Sequence, residues 1–211
     1  MHFMNQQTDK AILVVSFGTS YEASRKATIE KIEQDIADAF GDHRIYRAWT
    51  SKMIISVLKK RDNYIVPTVK EAMEQMLLDG ITDVIVQPTH VINGIENDQM
   101  KADALSFRDR FSSIVFGNPL LTTEEDNQAV VQAVAGEFQD MDQETALVLM
   151  GHGTEHYANS VYAALDYRFK DMGHKNIFLG TVEAYPALDS LLRAADSFQP
   201  KKIVLAPFMI V

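Results

Sequence analysis

An internal repeat is the feature of this sequence that most limits what it can fold into. Residues 11–19 (AILVVSFGT) align without a gap with residues 146–154 (ALVLMGHGT), and each segment is an aliphatic run that leads to Gly-Thr. Residues 84–88 (VIVQP) align in the same order with residues 203–207 (IVLAP), and both end in proline. Two such matches in one order favour an internal duplication. We therefore expect the chain to form two similar lobes.

The segments between the repeats predict an α/β fold. Short β-branched runs alternate with longer stretches in which apolar residues recur every three or four positions, as in the helix predicted over residues 22–40. This alternation implies right-handed crossovers and, in each lobe, a parallel sheet flanked by helices. We assign residues 1–125 to an N-terminal lobe and 126–211 to a C-terminal lobe. The second lobe is expected to be incomplete at its C terminus, because the sequence stops soon after its last strand whereas the first lobe continues into a helix.

The composition argues against several classes of function. The absence of cysteine rules out disulfides, thiolate metal sites and cysteine nucleophiles, so any metal must use His, Asp, Glu or backbone oxygen. Asp and Glu number 29 against 20 Lys and Arg, and the resulting net charge of -9 argues against nucleic acid as a partner. No apolar run approaches the roughly 18 to 20 residues of a membrane span, and residues 1–10 are polar, so we expect a cytoplasmic protein without a membrane partner. Neither a dinucleotide nor a P-loop glycine pattern is present, which argues against a nucleotide cofactor.

Three histidines fall where strands are expected to end, and His152 is the strongest candidate among them. Ligands of open α/β sheets bind beyond the carboxyl ends of the strands, here in a cleft expected between the lobes. Glycines on both sides of His152 let a ligand approach the backbone, and imidazole both binds metals and exchanges protons near neutral pH. A structural hydrogen bond is the competing interpretation. His90 and His156 share this placement, and His156 either chelates together with His152 or contacts substrate or solvent.

Glu183 is the best carboxylate candidate, because it follows a buried strand and precedes a helix that begins near Pro186. A carboxylate at such a position is expected to be paired or to bind a cation. The alternative is an acid at a helix N-terminus that the helix dipole favours. The turn at Thr19 and Ser20 also offers backbone N–H groups and hydroxyls, which either cap a helix or bind an anion.

These segments together resemble one enzyme family, the anaerobic, early-insertion cobalt chelatases that place Co2+ into sirohydrochlorin for cobalamin synthesis. The resemblance covers nearly the whole chain and rests on five motifs in order: LVVSFGTSY at 13–21, RAWTS at 47–51 with MII at 53–55, HVING at 90–94, MGHG at 150–153 and VEAYP at 182–186. The chain is more distantly similar to protoporphyrin ferrochelatases, which share the two-lobed class II chelatase fold.

The resemblance implies a role for two residues. His152 matches the family histidine that binds the incoming metal and accepts a pyrrole proton, and Glu183 matches a further metal ligand. The third family ligand is a histidine in a Gly-Asp-His segment, which would follow Val211 and is therefore expected beyond the given sequence. Co2+ is then the substrate metal and a sirohydrochlorin-type tetrapyrrole the partner, while self-association stays open.

The substrate's several carboxylates must meet local donors on a protein of net charge -9. We predict that Phe17, Gly18, Thr19 and Ser20 supply backbone N–H groups and hydroxyls, and that His90 also contacts the tetrapyrrole. Arg47 and Lys52 are weaker candidates for the same task.

Other functions fit the same residues. Two or three nitrogen and oxygen ligands discriminate poorly among divalent metals, so an iron or nickel chelatase acting on the same tetrapyrrole remains open. A non-catalytic protein that binds a tetrapyrrole or a metal would need the same site. A hydrolase or mutase that uses His152 would need an arginine cluster for phosphate, and the sequence shows none.

Overall fold

A computed structural model of the chain describes residues 9–211, and the polar opening segment 1–8 lies outside that range. The chain divides into two compact units. The first runs up to His90 and includes Ile95–Pro119 and Ile210–Val211; the second comprises Val91–Gly94 and Leu120–Met209.

The first unit is built around a parallel sheet with the strand order β2-β1-β3-β4. Its elements are β1 (Lys10–Ser16), α1 (Glu22–Ala27), α2 (Ile29–Ala39), β2 (Arg44–Trp49), α3 (Lys52–Asp62), α4 (Val69–Leu78), β3 (Asp83–Pro88), α5 (Ile95–Leu105), a short 3-10 helix (Arg108–Arg110) and β4 (Ser113–Phe116). Every residue of β1 after Lys10 is buried. Continuous burial is expected of a parallel strand that is covered on both faces.

Residues 22–40 form two helices rather than the single predicted helix. The break lies at Thr28, whose φ of -122° and ψ of -76° are not helical. Its hydroxyl donates to the carbonyl oxygen of Ser24 at 2.8 Å. Hydroxyls that bond back to the preceding turn bend helices. The buried Ile29 at the start of α2 still anchors that helix in the core.

The second unit has a parallel sheet with the strand order β6-β5-β7. Its elements are α6 (Glu124–Glu137), β5 (Thr145–Gly151), a 3-10 helix (Tyr157–Asn159), α7 (Ser160–Asp171), β6 (Ile177–Thr181), α8 (Leu188–Phe198) and β7 (Lys202–Pro207). The central strand β5 is buried at all its positions. Leu147 and Leu149 pack in one cluster with Leu165 of α7, whereas the alternate residue Val148 packs in another with Leu191 of α8.

These sheets confirm the predicted α/β class, with parallel strands and flanking helices in each unit. In the second unit, α7 and α8 pack on opposite faces of the sheet. Side chains can therefore meet a ligand at the free edges and strand ends of that sheet. No helix within residues 9–211 combines the length and the apolarity that crossing a bilayer requires.

Candidate functional site

His152 and Glu183 lie side by side at the carboxyl ends of two neighbouring strands. Gly151 at the end of β5 pairs in register with Thr181 at the end of β6. The ladder continues past both strands, because the amide of Val182 donates to the carbonyl of Gly151 and the amide of Glu183 to the carbonyl of His152, each at 3.0 Å. The parallel sheet itself therefore places these two residues next to each other.

The two side chains form an exposed pair. His152 Nδ1 is 3.7 Å from Glu183 Oε2, and the side chains are 68% and 63% exposed. His152 Nδ1 also lies 3.0 Å from the carbonyl oxygen of Gly153. A carbonyl oxygen only accepts, so this contact favours the proton on Nδ1 and leaves the lone pair on Nε2 for a ligand. An imidazole whose Nε2 is left for a ligand and a carboxylate thus lie together, and both are exposed.

The glycines around His152 are required by the packing of this turn. Gly153 has a φ of +85°, and a Cβ there would lie 2.8 Å from the side chain of Thr181 and 3.0 Å from the amide nitrogen of Ala184. A Cβ on Gly151 would lie 2.4 Å from the ring of Tyr162. The Gly-His-Gly sequence therefore lets the His152 loop lie closely against the Glu183 loop.

His156 is used inside its own loop. Its Nδ1 accepts the amide hydrogen of Ala158 at 3.2 Å, and its ring lies 4.0 Å from the ring of Tyr157, centroid to centroid. That nitrogen is therefore engaged, which weakens the alternative in which His156 chelates together with His152. Within residues 9–211 no group of three or more His, Cys, Asp or Glu side chains is arranged to hold a metal ion.

The predicted anion-binding turn lies in the first unit, between β1 and α1. Gly18 has a φ of +100°, and a Cβ there would overlap the ring of Trp49. Phe17 is 41% exposed, whereas Thr19 is buried and its hydroxyl oxygen accepts the amide of Tyr21 at 3.3 Å. Ser20 is partly exposed. The turn is thus built by close packing, and contact of these residues with substrate carboxylates stays a prediction.

Arg47, one of the weaker candidates, is engaged within the first unit. Its Nε lies 2.7 Å and 3.0 Å from the two carboxylate oxygens of Glu33, and its guanidinium also donates to the hydroxyl of Tyr64. The bond to Glu33 raises the pKa of the guanidinium still further. A role for Arg47 in binding a substrate carboxylate would have to compete with this ion pair.

His90 follows β3 in the first unit and is partly exposed. Neither ring nitrogen is accessible, and neither has a hydrogen-bond partner among the described residues. Burial lowers the pKa of the imidazole to about 4, although the nearby carboxylate of Glu96 acts in the opposite direction. The ring is therefore neutral near pH 7, with one N–H group and one lone pair that solvent does not reach.

This burial predicts how the stability of the chain depends on pH. In the unfolded chain His90 takes up a proton below roughly pH 6.5, whereas in the folded chain it stays neutral until about pH 4. Proton uptake therefore favours the unfolded state as the pH falls through this window. We expect His90 to lower the free energy of unfolding by about 2 kcal/mol between about pH 7 and about pH 5.

The measurement compares the unchanged chain with His90→Gln in urea at both pH values. Fluorescence of Trp49, the single tryptophan and fully buried in the same unit, reports unfolding. Carboxylates titrate in both chains and cancel in the difference. A difference in unfolding free energy that does not change with pH would contradict the buried, neutral state of His90.

A pocket of the second unit, with a volume of about 320 Å³, was not evident from the sequence. Its lining is mostly apolar and includes Tyr157 and Val161, with Asn93 and Ser160 as the polar members. It forms where the chain after His152 turns into α7. Nothing in the spacing of these residues indicated it, because they come from three separate segments of the chain.

Comparisons with known proteins find chains similar to this one over nearly its whole length. The family model described as cobalt chelatase (CbiK) matches residues 10–211. The sirohydrochlorin cobaltochelatase of Salmonella typhimurium is 34% identical over 202 residues, which covers 96% of this chain and 76% of that protein. The sirohydrochlorin cobaltochelatase CbiKC of Nitratidesulfovibrio vulgaris is 28% identical over 211 residues, covering 97% of this chain and 72% of that protein.

Proposed function

Since this chain belongs to the cobalt chelatase (CbiK) family, we propose that it inserts Co2+ into sirohydrochlorin and that His152 and Glu183 handle the ion. The observation that carries this proposal is that His152 and Glu183 lie side by side at the ends of two paired strands, with both side chains exposed. Co2+ is here a substrate, so the site has to bind the ion and also release it.

The two donors suit an ion that must first be bound and then released. Nε2 of a neutral imidazole and a carboxylate oxygen both bind first-row divalent metals, and neither is as strong a donor as a thiolate. Both side chains are more than half exposed, so the ion can reach them and leave them without local unfolding. Two donors from the protein leave coordination positions open for water and then for nitrogen atoms of the macrocycle.

The same imidazole serves as the proton acceptor. Insertion replaces two pyrrole N–H protons by one Co2+, so two protons must leave the macrocycle. When the ion moves to the ring nitrogens, the Nε2 lone pair that held it becomes available and takes one proton, while the other passes to water. Imidazole exchanges protons readily near neutral pH, and the exposure of His152 lets it return the proton to solvent.

In this proposal the substrate is held by the turn of the first unit and by His90. The backbone N–H groups of Phe17, Gly18, Thr19 and Ser20 meet carboxylates of the macrocycle, and the partly exposed His90 contacts it as well. A chain with a net charge of -9 repels a substrate that carries several carboxylates, and these local donors would offset that repulsion.

The test is anaerobic metal insertion by the purified chain. Sirohydrochlorin is mixed in separate reactions with Co2+, Fe2+ or Ni2+, and the absorbance change of the macrocycle gives the rate above the protein-free reaction. We expect the protein to accelerate the Co2+ reaction most. Faster insertion of Fe2+ or Ni2+ would overturn the metal assignment. Binding of sirohydrochlorin without accelerated insertion of any of the three metals would instead favour the non-catalytic binding protein.

A further inference from the structure

Asn159 joins the two loops that carry His152 and Glu183. Its side-chain oxygen accepts the amide hydrogen of Thr154 at 3.1 Å, and its side-chain nitrogen donates to the carbonyl of Tyr185 at 2.6 Å. Thr154 lies two positions after His152, and Tyr185 lies two positions after Glu183. One amide thus holds corresponding points of both loops.

Asn159 is itself well anchored. It ends the 3-10 helix Tyr157–Asn159, and its own amide donates to the carbonyl of His156 at 2.9 Å. It also directly precedes α7, which is fixed in the core by the buried Tyr162 and Leu165. The side chain of Asn159 therefore ties two loops to the start of a helix that is packed in the core.

The strand ladder alone does not fix the two side chains. The bonds from Val182 to Gly151 and from Glu183 to His152 hold the backbones at the start of each loop. Beyond those bonds, Asn159 links the loops again at Thr154 and Tyr185. From these contacts we infer that Asn159 is a positioning residue, which sets the separation of His152 and Glu183 for binding Co2+. This inference rests on the function proposed above.

The chemistry of the side chain is specific to this task. An amide offers a donor and an acceptor on one rigid plane, and the bridge uses both. Aspartate could still accept from Thr154 but could not donate to Tyr185, and alanine makes neither bond. A misplacement of catalytic groups by about 1 Å can cost about a hundredfold in rate, so a shift of the loops has a measurable effect.

Asn176 provides a matched control. Its side-chain nitrogen donates to the carbonyl of Thr145 at 3.0 Å, and it joins β5 and β6 at their amino ends, opposite the site. Asn159 and Asn176 are both partly buried. Asn159→Ala and Asn176→Ala therefore each remove an amide bridge within the same unit, but only the first removes it from the site.

The experiment measures kcat and KM for Co2+ in the insertion assay, the visible d–d spectrum of Co2+ bound without tetrapyrrole, and the thermal unfolding midpoint of each variant. For Asn159→Ala we expect a kcat/KM for Co2+ about ten- to a hundredfold lower, mainly through KM, together with a changed Co2+ spectrum. Asn176→Ala is expected to keep kcat/KM for Co2+ within about twofold of that of the unchanged chain and to leave the Co2+ spectrum unchanged. Its thermal unfolding midpoint should fall by about as much as that of Asn159→Ala. Asn159→Asp keeps the bond from Thr154 and removes the bond to Tyr185, so it distinguishes their contributions. It is measured in place of Asn159→Ala if that variant does not fold.

Two results would overturn the inference. One is a folded Asn159 variant whose KM and Co2+ spectrum are those of the unchanged chain, and the other is an equal loss of activity in Asn176→Ala. Failure of the proposed function is distinguished in the same assay, because the unchanged chain would then insert no Co2+. In that case the Co2+ spectrum alone still decides whether Asn159 positions the two ligands.

Discussion

Replacement of His152 by alanine is expected to abolish Co2+ insertion while affinity for sirohydrochlorin stays within about tenfold, a difference in binding free energy of about 1.4 kcal/mol. In the proposed mechanism the substitution removes both the Nε2 lone pair that would bind the ion and the acceptor of the pyrrole proton. The side chain is 68% exposed, so its loss leaves no cavity in a core. Anaerobic insertion rates and a fluorescence titration with sirohydrochlorin measure the two quantities.

His174→Ala is the control for this variant. His174 lies in the turn between α7 and β6, at the opposite end of the strands from the site, and belongs to the same unit. We expect its activity to match that of the unchanged chain. If His152→Ala retained full turnover, the imidazole could be neither the ligand nor the proton acceptor, and the proposed mechanism would be wrong.

Glu183→Gln is expected to lower kcat/KM for Co2+ by at least about tenfold, because even residues that only support metal ligands contribute about ten- to a hundredfold to metal affinity. Glutamine keeps the size of the side chain but removes the negative charge that, in the proposed function, attracts the ion. The loss should therefore appear chiefly as a raised KM for Co2+, with the affinity for sirohydrochlorin unchanged. Initial rates over a range of Co2+ concentrations measure it.

Glu155→Gln tests whether Glu183 binds the ion or only adds negative charge near the site. Glu155 is exposed and lies three residues after His152, so its neutralisation changes the net charge of the site region equally. We expect its KM for Co2+ to change by less than about twofold, as for a solvent-screened surface charge. Equal effects of the two substitutions would mean that Glu183 acts only through the local field and does not bind the ion.

The sequence predicted the fold and the proximity of the two candidate ligands for one physical reason. Parallel strands end at the same edge of a sheet, so residues that follow β5 and β6 must emerge next to each other once the strands pair in register. His152 and Glu183 each follow a strand that was recognisable from its aliphatic run. The repeat of that run at residues 11–19 and 146–154 likewise indicated two sheets.

Features that depend on contacts between distant segments were not predictable in this way. The bridge from Asn159 to the carbonyl of Tyr185 spans separate loops, and no local pattern marks it. The burial of His90 depends on packing around the end of β3, and the engagement of Arg47 depends on Glu33 from another element. The break at Thr28 arose from a hydroxyl bond that competes with an otherwise regular helical periodicity.

The burial of β5 along its whole length has a consequence for how the site can move. This strand pairs with β6 on one edge and with β7 on the other, so we expect its amide hydrogens to exchange with solvent only when the whole unit opens. Just beyond Gly151, the side chain of His152 is exposed. In the proposed function, the exposed side chains of His152 and Glu183 would bind and release the ion while the strand beneath them stays rigid, so repeated turnover does not require any loosening of the core.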